Sequence, residues 1–337
     1  MKTICLDIDD LLTTMDLRAI RGEDHREKST FEPDPLHQSP DRFFTLHFEH
    51  DGRNYDVDYY IVPGCLEFLA SILVHDDVRP AFFSAGVHSR NVAMGKKLME
   101  MVVGRKGGDP AWMDRYLVFS REDAFDTERF HDSRCTQMYQ PELLCYFGNY
   151  KKDLRVVELG GELYRKLYSE TLSAHWAVKH GEVFQGDTPL AANAEKDEPL
   201  LANVLLMEED HSYMFRGQEK NMLKCPTFHA QSGIICHDKE DITLKEDKWG
   251  GRRRDFEGLN TLFYGAGLLD HVLACAKAEN LSLPKILWRE QVEKYDIVKK
   301  GERVLWNYPM EYFLRGRDVL RRFTPQINFA VNKLWGV

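Results

Sequence analysis

The feature that most constrains this chain is its first apolar run, Thr3-Ile4-Cys5-Leu6, which turns acidic at Asp7 and again at Asp9 and Asp10. A short aliphatic run without polar alternation reads as a strand buried on both faces, the mark of a parallel sheet covered by helices. In open sheets of this kind ligands gather beyond the carboxyl ends of the strands, where these acids stand. Side chains alternate along a strand with period two, so Asp7 and Asp9 leave toward one face, about 6 to 7 Å apart if the strand persists. Two such carboxylates can divide labour, one attacking and one moving protons, provided a cation relieves their repulsion. The alternative is a strand end running into a solvated acidic turn.

Three later segments bear on that choice. Val78-Arg79-Pro80-Ala81-Phe82-Phe83 reads as a second buried strand and ends at Ser84-Ala85-Gly86, ahead of a helical stretch from His88 to about Val103. The Ser84 hydroxyl there either binds phosphate or caps the turn. Lys151 and Lys152 follow an aromatic strand and the turn Gly148-Asn149, and read either as solvated surface or as an active-site lysine. Asn203-Val204-Leu205-Leu206-Met207-Glu208-Glu209-Asp210 then repeats the opening pattern, a buried strand that ends in acid. Acidic ends of separate parallel strands can converge on one hard cation, since Mg²⁺ takes one or two carboxylates together with water and phosphate oxygens.

The intervening chain supplies the rest of an α/β fold. Phe43 to Phe48 and Tyr55 to Val62 flank Asp51-Gly52, a hairpin signal, and Pro63-Gly64 opens a helix with Leu66, Leu69, Ala70 and Leu73 on its apolar face. Tyr116 to Phe119 and Ser232 to Cys236 read as strands, Glu162 to Lys179 and Leu259 to Lys277 as helices. Residues from Gly181 to Pro199 read as loop, and the polar stretch with Asp123, Asp126, Glu128 and Asp132 as an insertion.

A formal net charge of −9 argues against a nucleic-acid coat protein. The charge is uneven: residues 284–337 hold eleven Lys and Arg against six Asp and Glu, which leaves −14 for the preceding part. Seven cysteines without a framework spacing suggest reduced thiols, and no run approaches membrane-span length, so a cytoplasmic protein, peripheral at membranes or secreted without a cleaved signal as alternatives, is expected.

In their order along the chain, Asp7 and Asp9, Ser84, Lys152, and Glu209 with Asp210 resemble the motifs of the haloacid dehalogenase superfamily of aspartate-nucleophile phosphatases. The likeness is closest to the small carboxy-terminal-domain phosphatases and their FCP-like and NIF-like relatives. Gly148-Asn149-Tyr150-Lys151-Lys152-Asp153-Leu154 is similar to that group's Gly-Asn-Tyr-x-Lys-Asp-Leu, the most specific match. Phe83-Ser84-Ala85 is similar to its Thr-Ala step, the hairpin to its insert, and Glu209-Asp210 with Phe215, Gln218 and Asn221 to its fourth motif. The likeness covers roughly residues 1–280 and implies a doubly wound parallel sheet, with inserts near 13–62, 105–146 and 156–202, in a core of residues 1–283. A basic helical extension, 284–337, follows.

The resemblance also implies a chemistry: hydrolysis of phosphomonoesters on a phosphorylated protein, with Asp7 as nucleophile and Asp9 as proton carrier. Lys152 and Mg²⁺ would neutralise charge, and Ser84 would hold a phosphoryl oxygen. Asp7, the backbone carbonyl of Asp9, and Asp210 are the expected metal ligands, with Glu209 as alternate. Relatives act on phosphoserine or phosphothreonine, and bacterial effector phosphatases of this fold act on phosphotyrosine. Leu11, where the group usually has Thr or Val, and Glu209, where it usually has Asp, are departures. They keep open a second expectation: a catalytically weak binding module recognising phosphoproteins or anionic lipid.

Other constellations fit less well. No cysteine is followed six positions later by Arg, as a cysteine phosphatase requires. Cys225, His229, Cys236 and His237 lack a regular zinc spacing, and Arg252-Arg253-Arg254 reads as a solvated loop or as a contact for an acidic phosphopeptide. In the tail, Met310 to Phe323 interleaves apolar and basic residues around Gly316. It reads either as a helix docked on the core or as a surface for an anionic membrane.

Overall fold

A computed structural model describes residues 1–15, 43–126, 150–179, 190, 194–210, 213–215, 217–228, 234–236, 256–293, 298–300, 303–305 and 308–332. The opening run forms β1 (Lys2–Leu6), and Thr13–Met15 forms β2. Strands β3 (Phe43–His50) and β4 (Arg53–Ile61) make the expected hairpin. Asp51 and Gly52 at its tip both have positive φ, 50° and 71°, as a tight two-residue turn between right-twisted strands requires.

Helix α1 (Cys65–Leu73) follows, then β5 (Val78–Phe83), α2 (His88–Lys106) and β6 (Leu117–Phe119). Phe125–Asp126 and Tyr150–Lys151, β7 and β8, pair with each other as an antiparallel ribbon. Helices α3 (Arg155–Leu159), α4 (Gly161–Lys179) and α5 (Ala194–Leu200) lead to β9 (Val204–Glu208) and β10 (Met222–Lys224).

The central sheet has the order β10-β9-β1-β5-β6, and every neighbouring pair in it is parallel. The chain moves outward from β1 through β5 to β6, then returns to the other side of β1 with β9 and β10. The strand order therefore reverses beside β1, and the carboxyl ends of β1 and β9 flank the crevice where open α/β sheets bind ligands.

Period-two alternation sorts the sheet residues into two apolar layers. Ile4, Leu6, Phe82, Leu205, Met207 and Leu223 join the layer filled by α1, α2, α6 (Thr261–Glu279), α7 (Leu283–Trp288) and α8 (Met310–Leu320). Cys5, Ala81, Phe83, Val204, Leu206 and Met222 face the other layer, with Val156, Tyr164 and Phe215.

Several expectations are corrected. Residues 194–200 are helical although Pro199 lies among them, so the loop read from Gly181 to Pro199 ends early. Lys152 does not end a strand of the central sheet. It follows the short β8 ribbon and is bridged to Met214. Ile234–Cys236 does form a strand, but it pairs antiparallel with Ala330–Asn332, outside the central sheet. The tail is not helical throughout, since it also carries Val298–Lys300, Arg303–Leu305 and Ala330–Asn332 as strands. Gly148, Asn149, Glu128, Asp132, His229, His237 and Arg252 to Arg254 lie outside the described residues. Among the described residues no helix is long and apolar enough to cross a membrane.

Candidate active site

The site begins where β1 stops. Leu6 is the last strand residue, and the chain then turns through Asp10, whose φ of 59° is a left-handed value that a non-glycine residue adopts only in a turn. The Asp10 backbone N–H donates to the Thr13 carbonyl at 2.7 Å, closing that turn and leaving the Asp10 side chain exposed. Asp7 and Asp9 meet different surroundings.

Asp7 is buried and accepts from the Lys152 ammonium at 2.5 Å. The same ammonium donates to Glu208 at 2.5 Å, and both Lys152 and Glu208 are sealed from solvent. Lys152 is held by its backbone N–H, which donates to Tyr213 O at 2.7 Å. The next residue, Asp153, is anchored by the Gln218 amide at 2.8 Å, the Arg155 guanidinium and the Tyr164 hydroxyl at 3.1 Å. Gln218 also accepts from the Leu154 N–H at 2.9 Å, so the segment carrying the lysine is locked to the one after β9. Asn221, further along, donates to the carbonyls of Leu201 and Val204 and ties the same connection to the start of β9.

Asp7, Glu208 and Glu209 each bring a carboxylate oxygen within 4.8 Å of the others. The electrostatic consequence is direct. Burial pushes the Asp7 carboxyl up to about 8 against the pull of Lys152, with Glu208 and Asp9 adding to the rise. Burial, then Glu208 and Asp7, pushes Glu209 up to about 11. Burial disfavours the charge on Lys152, but Asp7 and Glu208 outweigh it and hold the ammonium above its ordinary range. The cluster thus crowds more acids together than its one lysine can neutralise, and Asp7 and Glu209 hold their protons more tightly as a result.

A second cation is already in use nearby. Lys224, at the end of β10, is buried and donates to the backbone carbonyls of Glu209 and Cys225, and burial lowers its pKa. Oε2 of Glu209 is shielded from solvent and has no hydrogen-bond partner among the described residues. An orphaned acid oxygen in a group of three carboxylates is what a hard divalent cation accepts. Asp7, Glu208 and Glu209 are thus a group that could hold a divalent cation.

Asp9 turns to another partner. Arg90, near the start of α2, grips both of its carboxylate oxygens, with Nη1 at 2.9 Å from Oδ2 and Nη2 on Oδ1. Ser84 donates to Oδ2 as well, at 2.9 Å. Burial works against the guanidinium charge, but Asp9 outweighs it and holds Arg90 above its usual range.

Asp7, Asp9, Ser84, Lys152 and Glu209 thus gather at one crevice. Asp7 and Lys152 meet directly, while Ser84 meets Asp9. Asp210 is outside the close acid group; its backbone N–H donates to Glu208 at 3.2 Å, and Glu208 stands where the sequence reading set Asp210. Glu208 and Arg90 were missed. For Glu208 the available signal was the alternation of β9, which turns its last residue to the same face as Leu206. Arg90 had none, because its partner is 81 residues away. Cys225 is buried core, and His229 and His237 of the drawn zinc set lie outside the described residues.

No family model and no curated protein matches this chain.

Proposed function

We propose that the protein is a Mg²⁺-dependent phosphomonoesterase of the haloacid dehalogenase type, acting on phosphorylated proteins through an aspartyl-phosphate. The observation that carries this reading is the buried Asp7–Lys152–Glu208 chain at the carboxyl ends of β1 and β9. It supports a carboxylate nucleophile at the ligand-binding crevice with an ammonium fixed beside it.

Asp7 Oδ attacks phosphorus, and the bond to the leaving oxygen breaks with its electron pair going to that oxygen. Asp9, once it has left Arg90 and taken a proton from solvent, delivers that proton to the leaving oxygen. It then takes one from the water that attacks the aspartyl-phosphate, which returns Asp7 as a free carboxylate and releases phosphate. Lys152 keeps Asp7 oriented and offsets the charge that accumulates as the two anions approach. Ser84 donates to a nonbridging phosphoryl oxygen once Asp9 has vacated its hydroxyl. Asp7, Glu208 and Glu209 would hold Mg²⁺, which supplies neutralisation of the phosphoryl oxygens.

The test is to quench turnover of an aryl phosphate in acid and map the phosphoryl group by mass spectrometry. Label on the peptide containing Asp7 is expected, and label elsewhere, or none during active turnover, overturns the mechanism. Parallel assays of phosphotyrosine and phosphoserine peptides then assign the substrate class.

A further inference from the structure

Arg90 is anchored far more firmly than the acid it holds. Its Nε donates to the Tyr59 hydroxyl at 3.1 Å and its Nη1 to Asn91 Oδ1 at 3.2 Å, and Tyr59 and Asn91 are themselves buried. Asn91 is fixed in turn by the carbonyls of Ser84 and Phe119, at 3.0 and 3.1 Å. The Asp9 side chain is 42% exposed and the Arg90 side chain 7%, so the carboxylate can leave into water and the guanidinium cannot follow.

The donors that meet Asp9 form a compact set. Arg90 Nη1 and the Ser84 hydroxyl both lie 2.9 Å from the same oxygen, Oδ2, while Nη2 takes Oδ1. The Gly86 N–H backs the Ser84 oxygen at 3.2 Å. A planar guanidinium fork with a hydroxyl beside it matches phosphoryl oxygens as well as it matches a carboxylate. A buried guanidinium left without an anion is strongly unfavourable, so departure of Asp9 creates a demand for a replacement anion.

We propose that Ser84 and Arg90 form an oxyanion-binding corner for the phosphoryl group, and that the Asp9 carboxylate occupies it as an internal competitor until substrate arrives. The choice of a phosphoryl oxyanion rests on the phosphatase reading and deepens it. An incoming phosphate takes the guanidinium and the hydroxyl, and Asp9 is freed to meet the leaving oxygen. Substrate binding and readiness of the acid are thereby coupled, because one set of donors serves the two anions in turn.

The experiment measures tungstate binding to the full chain in Mg²⁺ buffer by calorimetry, which does not require turnover. Removing the competitor with Asp9→Ala is expected to tighten binding about tenfold, and removing the fork with Arg90→Gln to weaken it about tenfold. Arg90→Lys, which keeps the charge without the fork, should fall between wild type and Arg90→Gln. Far-ultraviolet circular dichroism on each variant confirms that the compared proteins are folded, and Tyr59→Phe, which loosens the guanidinium without removing it, gives a milder weakening. Equal affinity in wild type and Arg90→Gln overturns the corner, and so does Asp9→Ala binding no tighter than wild type. Wild type that binds tungstate in this pattern yet hydrolyses no aryl phosphate would defeat the phosphatase reading and leave the corner standing.

Discussion

Removing the Lys152 ammonium would strand Asp7 and Glu208, two buried carboxylates that share it. Breaking a buried ionic network from one side costs about 3 to 5 kcal/mol. Lys152→Met should lower the urea-unfolding free energy by that order, and a loss below about 1 kcal/mol would show that the acids do not depend on the lysine. Thiol chemistry tests the same interior. Cys5 sits in β1 one residue before Leu6, and burial pushes its thiol up to about 12, while Cys275 on α6 is partly exposed. In the native state iodoacetamide should modify Cys275 well before Cys5, as peptide mapping will read; equal rates would contradict the buried strand. At this scale the meeting of Asp7 and Lys152 was legible because each sits in a local pattern. Arg90 and the pairing of Glu208 were not, because a tertiary ion pair leaves no trace in spacing.

Helices α6 and α8 approach so closely at Gly267 and Gly316 that no side chain fits at that point. A Cβ on Gly316 would stand 1.7 Å from the Phe263 carbonyl oxygen, and one on Gly267 would stand 1.9 Å from that of Tyr312. Gly316→Ala should therefore destabilise the protein by about 1 to 3 kcal/mol or more, as overpacking does. Gly104→Ala, in α2 and with open space around its Cβ, should be neutral or stabilising by up to about 1 kcal/mol. Thermal unfolding of the two variants checks the contrast, and similar effects would contradict the helix crossing. The apolar side of α8 is used inside the fold: Tyr312, Phe313, Val319 and Leu320 are buried, and Arg315 pairs with Asp270 of α6 at 2.7 Å. Glycine is a poor helix former, so Gly316 weighs against a continuous helix, yet α8 runs unbroken through it. Its function as a contact surface depends on a partner helix that periodicity in α8 alone does not reveal.

For the whole molecule, the parallel sheet was legible because its strands are apolar runs punctuated by acid or hydroxyl. Strand β10 went unread, since Met222-Leu223-Lys224 is too short to show a period, and β8 escaped the central sheet for the same reason. What the architecture accomplishes is to bring ends of strands far apart in sequence to one crevice, with the β3–β4 hairpin lending Tyr59 to its support. The proposed mechanism requires Asp7 to be the attacking group there. Hydrolysis of an aryl phosphate in Mg²⁺, by wild type and Asp7→Asn side by side, tests it most directly. Turnover by wild type and a loss of at least about a thousandfold in the variant are expected; equal turnover by the two proteins, or none by either, would contradict an Asp7 nucleophile.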